Sequence, residues 1–185
     1  MSITSEAVVC GSVDAAGPIG QIKQSRIDGS LSADGDVSEI NEATVAGDVT
    51  ADGNVEQIKE STVEGSLKSD GKVEEVKQST VKGSLTTSGR VEINESEVST
   101  DSNAGLSTTD GGAVKIESNS TVGGPISADG RIETIKDSMV TGDVVANGDV
   151  KLEGSMEIRG DVTSNGGTIT QESNVTITGT ATENP

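Results

Sequence analysis

The chain has 185 residues, of which only 30% are hydrophobic and none is Phe, Trp, Tyr or His, and its formal net charge is −18. The absence of His excludes imidazole-based catalysis and imidazole metal ligands, and a single Cys excludes an internal disulfide and a Cys-built zinc site. Low hydrophobicity with a high net charge is also typical of disordered chains, so the order of the residues has to decide whether the chain folds.

The first ten residues, 1–10, precede the repeated part of the chain. They lack the basic and apolar regions of a secretory signal, and the chain contains no run of about 18 apolar residues that could span a membrane. The spacing of Ile3, Ala7 and Val9 predicts only a partial coil here. Cys10 is either a small buried residue or an exposed thiol near one end of the fold.

An 18-residue repeat follows and accounts for most of the chain. Its glycines recur in two runs with this spacing, and each has a second glycine six residues later. The first glycines of these pairs are Gly11, Gly29, Gly47, Gly65, Gly83, Gly124, Gly142 and Gly160. Self-similarity at a fixed period indicates stacked structural units rather than a disordered chain.

Each repeat is expected to contain about three short strands joined by tight turns. Over 81–87 every second residue is apolar or small, which is the period of a β-strand. The pair Asp70-Gly71 predicts a turn in which Gly adopts a positive φ. Residues 73–76 predict a second short side, and the pair Lys77-Gln78 predicts another corner.

These strands predict an all-β fold, a single-stranded β-solenoid with about 18 residues per coil and nine to ten coils stacked about 4.8 Å apart. The solenoid domain is expected to span 11–177, between the partial coil at 1–10 and a polar C-terminal tail at 178–185. Columns of Val, Ile and Leu would fill a narrow core that has no room for aromatic side chains. Extra residues in the middle predict an irregular loop near 99–105, either a tolerated insertion or a partner-binding protrusion.

No group of residues stands out from the repeat as a catalytic, cofactor or metal site, so the sequence predicts a protein that is not an enzyme and has no cofactor. A column that includes Asp34, Asp52 and Asp70 suggests a Ca²⁺ ladder, although Asp is also a common residue before a turn glycine. A column that includes Thr44 and Thr62 leaves an ice-binding face as a further alternative.

The negative charge bears on partners and location. Phosphate contacts need Lys and Arg, so an excess of 18 negative charges argues against nucleic acid and anionic membranes as partners. High salt screens the repulsion within an acidic chain. The composition therefore suits a cytoplasm with a high salt concentration.

Segments 44–55 and 139–150 each contain a Gly-Asp-Val step followed by a second glycine. They resemble the repeats of bactofilins, a family of polymer-forming cytoskeletal proteins, and in particular acidic bactofilin-like proteins of salt-loving archaea. The resemblance extends over about 11–179. It implies a right-handed, triangular solenoid that polymerises end to end without nucleotide, into nonpolar filaments that help to shape cells. Members commonly use an aromatic residue near one end for assembly, which this chain lacks.

Both ends of a solenoid expose strand edges that can pair with another chain unless something covers them. No amphipathic helix is predicted at either end, which favours stacking of one copy on the next. The residues expected to carry this contact are Ile3, Val8, Val9, Val175 and Ile177.

The sequence thus predicts a self-assembling cytoskeletal or scaffold protein in the cytoplasm, with further copies of itself and other scaffold proteins as partners and no direct membrane insertion. Two alternatives stay open. Short polar termini would block the edges, or the rod would be a segment of an extracellular adhesin or fibre.

Overall fold

In the computed structural model, which describes residues 1–99 and 104–184, the chain is a β-solenoid of ten coils with three strands per coil. Strands on the same side of successive coils pair in parallel and form three ten-stranded sheets, here called sheets A, B and C. The predicted all-β solenoid is therefore confirmed, with a coil of about 18 residues. Nothing in the described ranges forms a helix that could cross a membrane.

The bounds of the strands follow the repeat. Sheet A consists of β1 (Ser2–Ile3), β4 (Ile19–Lys23), β7 (Val37–Asn41), β10 (Val55–Lys59), β13 (Val73–Lys77), β16 (Val91–Asn94), β19 (Val114–Glu117), β22 (Ile132–Lys136), β25 (Val150–Glu153) and β28 (Ile169–Gln171). Sheet B consists of β2 (Val8–Val9), β5 (Arg26–Ile27), β8 (Thr44–Val45), β11 (Thr62–Val63), β14 (Thr80–Val81), β17 (Glu97–Val98), β20 (Thr121–Val122), β23 (Met139–Val140), β26 (Met156–Ile158) and β29 (Val175–Ile177). Sheet C consists of β3 (Val13–Ala15), β6 (Leu31–Ala33), β9 (Val49–Ala51), β12 (Leu67–Ser69), β15 (Leu85–Thr87), β18 (Leu106–Thr108), β21 (Ile126–Ala128), β24 (Val144–Ala146), β27 (Val162–Ser164) and β30 (Ala181–Glu183).

The core is a set of aliphatic columns that run along the rod. In sheet A, Val55 pairs with Val73 and Ile58 with Val76, so each inward aliphatic residue lies on another aliphatic residue of the next coil. These side chains are fully buried. Two outward residues separate the inward ones in these five-residue strands, and only one does so in β16, β19 and β25, which shifts the register there.

The solenoid extends into both segments that flank the predicted domain. β1 and β2 lie within 1–10 and pair with the second coil, so this segment forms two sides of the first coil. β30 lies within the predicted tail at 178–185 and pairs with β27. Pairing needs only backbone groups, so a polar segment can continue it. The predicted loop near 99–105 falls mainly on residues 100–103, which are outside the described part of the chain.

Close packing between coils, rather than a positive φ, explains the glycine at the predicted Asp-Gly turn. Within the described ranges only Gly11, Gly111 and Gly154 have a positive φ among the glycines, so the expectation for Gly71 was wrong. A Cβ on Gly71 would lie 2.5 Å from Oδ1 and 3.0 Å from the backbone nitrogen of Asn54, one coil earlier. The side chain of the earlier coil occupies the space that a larger residue would need.

The other predicted corner, at Lys77-Gln78, has the left-handed backbone instead. Gln78 has a φ of 49°, and non-glycine residues occupy the same position in other coils. They are Gln24, Glu42, Glu60, Glu95 and Asp137. Their side chains, exposed except for the half-buried Asp137, lie at the point where the chain passes from sheet A to sheet B.

Buried serines connect the coils beside this corner. The backbone N–H of Ser61 donates to Oγ of Ser79 (3.1 Å), and the N–H of Ser79 donates to Oγ of Ser96 (3.1 Å). Oγ of Ser79 in turn donates to the carbonyl of Lys77 (2.7 Å). Because buried backbone groups need partners, these hydroxyls hold the coils together where the left-handed residue interrupts the strands.

Candidate functional site

The first coil (β1, β2 and β3) ends the solenoid on its N-terminal side and exposes strand edges. One coil further on, the N–H of Arg26 donates to the carbonyl of Ala7 (2.8 Å) and the N–H of Asp28 to that of Val9 (2.9 Å). Val8 lies in register with Arg26, so its own N–H points away from the second coil. Within the described ranges this N–H has no acceptor, which leaves it available to another chain.

The inward side chains of the first coil form an apolar layer. Ile3, Ala7 and Val9 are half-buried and Val13 is buried, and Ile3, Val9 and Val13 pack in the hydrophobic core. Val8, also predicted as a contact residue, lies apart from this layer. Its side chain is 62% exposed on the outer face of sheet B.

Cys10 follows directly on this coil and is exposed. This observation settles the alternative left open by the sequence in favour of a solvent-accessible thiol. The thiol lies at the N-terminal end of the rod, which makes it a useful reporter position.

The last coil (β28, β29 and β30) ends the solenoid on its C-terminal side, and it contains the other predicted contact residues. Val175 is buried and Ile177 is half-buried, and both pack toward the preceding coil. Two inward positions of this coil are polar, however. Gln171 lies in the column of Leu152, and Glu183 lies in the column of Ser164.

The two polar side chains take over hydrogen bonds that a following coil would form. Oε1 of Glu183 accepts the N–H of Ile169 at 2.6 Å. One coil earlier the equivalent N–H, of Val150, donates to a carbonyl of the next coil, that of Thr168. Glu183 thus replaces a backbone acceptor that would belong to an additional coil.

Gln171 acts in the same way on a carbonyl. Its Nε2 donates to the carbonyl of Val175 at 3.1 Å. In the earlier coils the carbonyl at this position accepts an N–H from the next coil, as Ser138 accepts that of Glu157. We call Gln171 and Glu183 together the C-terminal latch. Sequence reasoning missed it, although a polar residue in an otherwise aliphatic or small-residue column was the available signal.

The sides of the rod carry ion pairs, of which one cluster on sheet A links three successive coils. Arg90 contacts Glu92 at 2.9 Å and Glu133 at 3.0 Å, and Lys115 contacts Glu92 at 3.0 Å. Burial favours the neutral form of Glu92, but hydrogen bonds from Lys115 and Arg90 outweigh it and lower its pKa. This cluster stabilises the middle of the rod.

Replacing Glu92 with Gln is expected to lower the free energy of unfolding near neutral pH but not in acid. A carboxylate whose pKa is lowered on folding stabilises the fold at pH values above its unfolded pKa, which is about 4.3 for Glu. This stabilisation is lost as the pH falls through the lower pKa of the folded state. Urea unfolding of Glu92→Gln and wild type at several pH values measures the difference, which should also shrink in high salt. A difference that stays constant with pH and salt would contradict this.

The column of Asp residues and the column of Thr residues were considered above as a Ca²⁺ ladder and an ice-binding face. In the part of the chain that the structure describes, no three Asp, Glu or Cys side chains are grouped so that they could hold a metal ion. Thr44, Thr62 and Thr80 pair in register, but Glu97 follows in the next coil and ends the run. The threonine face therefore covers only three consecutive coils at this position.

Comparison with known proteins adds no relative. No protein-family model matches the chain, and no curated protein or solved structure is similar enough to count as a match. Function is therefore inferred from the geometry of the two ends and from the sequence pattern.

Proposed function

We propose that this protein is a non-enzymatic structural protein whose solenoids assemble end to end into cytoskeletal or scaffold filaments. The observation that carries this proposal is the first coil, which combines an apolar layer with strand edges in the register of the interior coils. A second copy placed on this end would bury the aliphatic side chains and supply partners for the edge N–H groups. Both effects also hold neighbouring coils together within the rod.

The sequence resemblance to bactofilins supports the same assignment, since that family forms filaments from short-coil solenoids. Within this proposal the protein acts in the cytoplasm, its main partner is another copy of itself, and other scaffold proteins bind the filament. The charge of −18 makes assembly dependent on salt, because copies repel each other until the charges are screened.

The proposal is tested with Val9→Asp. A carboxylate in the apolar layer of the first coil would have to be buried without a partner on assembly, which costs several kcal/mol or about a 100-fold loss of affinity or more. Wild type is expected to form filaments in negative-stain microscopy and to sediment at molar salt, whereas Val9→Asp stays in the supernatant. Far-UV circular dichroism of both proteins reports whether the rod remains folded.

Val8→Asp is the matched control, since it places the same charge one residue away but on the outer face of sheet B. It is expected to assemble nearly as well as wild type. Wild-type protein that stays monomeric at high concentration, in both low and molar salt, would overturn the proposal. A surface location of the native protein would then favour the extracellular rod.

A further inference from the structure

We propose that the two ends of the rod are not equivalent and that the C-terminal latch gates assembly. Copies then associate first through their N-terminal coils, and the C-terminal contact forms only when Gln171 and Glu183 release the edge. This inference rests on the proposed function, since it concerns the order and strength of the same end contacts. It also combines the predicted end-to-end stacking with the alternative of edges blocked by polar termini, because one end is open and the other is blocked by a polar terminus.

The latch opposes stacking for two reasons. First, the N–H of Ile169 and the carbonyl of Val175 are already bonded to Glu183 and Gln171, so a second chain gains no hydrogen bond by pairing with these groups. Second, a coil placed on this end would enclose the carboxylate of Glu183 in a layer whose other inward residues, apart from Gln171, are apolar. Burying an unpaired carboxylate is strongly unfavourable, and inward-pointing charges are a known protection of sheet edges.

The N-terminal end has no inward polar side chain of this kind in the described residues. Its inward positions carry Ile3, Ala7, Val9, Val13 and Ala15, none of them polar. The N–H groups of Val8, Cys10 and Ala16 lack acceptors within the described ranges, whereas their equivalents one coil later donate to the first coil. Contact here therefore gains both apolar burial and new hydrogen bonds.

If only the N-terminal end is open, a second copy must meet it with the same end. Two first coils that face each other are related by a two-fold axis perpendicular to the rod, and the paired strands then run antiparallel. Such a contact uses the same surface on both copies and closes after two copies. Dimers are thus expected to accumulate at concentrations at which filaments are still rare.

The test is to remove the latch with Gln171→Leu and Glu183→Ala together, which restores the residue types of Leu152 and Ala146 in earlier coils. The critical concentration for filaments, measured by sedimentation, should fall at least about tenfold. Glu56→Ala is the control, because it removes an equal charge from the exposed side of sheet A. It should change the critical concentration far less.

The single cysteine reports the arrangement of wild-type dimers. A bis-maleimide reaching about 20 Å spans the width of a coil, whereas copies stacked N-terminus to C-terminus would hold their Cys10 thiols about 45 Å apart. Cross-linked dimers on denaturing gels are therefore expected for wild type and not for Val9→Asp. Wild-type dimers that do not cross-link would overturn the N-to-N contact.

The outcomes separate this inference from the proposed function. If wild type and the latch variant form filaments at the same critical concentration, the proposed gating by the C-terminal latch is wrong, and end-to-end assembly remains supported. If neither associates at any concentration, both are wrong. If both form filaments and the latch variant does so at a critical concentration at least about tenfold lower, both hold.

Discussion

Replacing Gly65 with Ala is expected to destabilise the solenoid by about 2–3 kcal/mol. The added Cβ would lie 2.8 Å from both the carbonyl carbon and the carbonyl oxygen of Gly47, one coil earlier, and would also clash with the side chain of Asp48. The backbone at Gly47 cannot move away easily, because its carbonyl accepts the N–H of Gly65. The stacking distance of about 4.8 Å leaves no further slack between coils.

Gly17→Ala is the matched control, since a Cβ at this position would have no other atom within 4 Å and the φ of Gly17 is not positive. This substitution is expected to be neutral, or to stabilise slightly by restricting the unfolded chain. Urea unfolding followed by far-UV circular dichroism measures both, because the chain has no Trp or Tyr for fluorescence. Equal unfolding midpoints for the two variants would contradict packing between coils as the reason for a glycine at position 65.

Replacing Ile58 with Ala is expected to cost about 3–4 kcal/mol, toward the upper part of the range for such core deletions. Ile58 is fully buried in sheet A, between Ile40 and Val76 of the adjacent coils. Its strand is hydrogen-bonded on both sides, to β7 and to β13, so the backbone cannot collapse into the space. The cavity therefore remains, and its walls lose their contacts.

Ile58→Val provides the graded comparison, because Val already occupies the same column as Val76. It is expected to cost about 1 kcal/mol. Val8→Ala, at an exposed position, should change the unfolding free energy by less than about 0.5 kcal/mol. If Ile58→Ala and Ile58→Val were equally tolerated, the core would have to be far more adaptable than its hydrogen-bonded coils allow.

Several features of the fold followed from the sequence because they depend only on spacing. A period of 18 with alternation inside it predicts the coil length, three strands per coil and the columns that contain Val55, Val63 and Leu67. The stacking of coils also explains the missing aromatic residues. Each inward column contains aliphatic or small residues, and the narrow core between the columns has no room for an aromatic ring. The shorter spacing of Val150 and Leu152 is likewise a property of the sequence, since one residue instead of two separates these inward positions.

The ends were harder to predict because their pattern is incomplete. In the tail at 178–185, Ala181 and Glu183 continue the columns of Val162 and Ser164, but the first of these columns lacks here the larger aliphatic residue that marks it elsewhere. Backbone pairing extends the sheet regardless of these side chains, so the last coil reaches further than its hydrophobicity suggests. The contact residues Val9 and Val175 stay predictions, to be tested by assembly.

The sequence by itself determined the period, the inward or outward direction of the side chains within strands and therefore the composition of the core, since these are properties of position along one chain. Only the tertiary structure decided which side chains contact a neighbouring coil or a strand of another sheet. Asn54 lies over Gly71, and Glu183 reaches Ile169 across the end of the rod. Such contacts join residues far apart in the chain, and they depend on side-chain direction at each corner, which the spacing of residues does not specify.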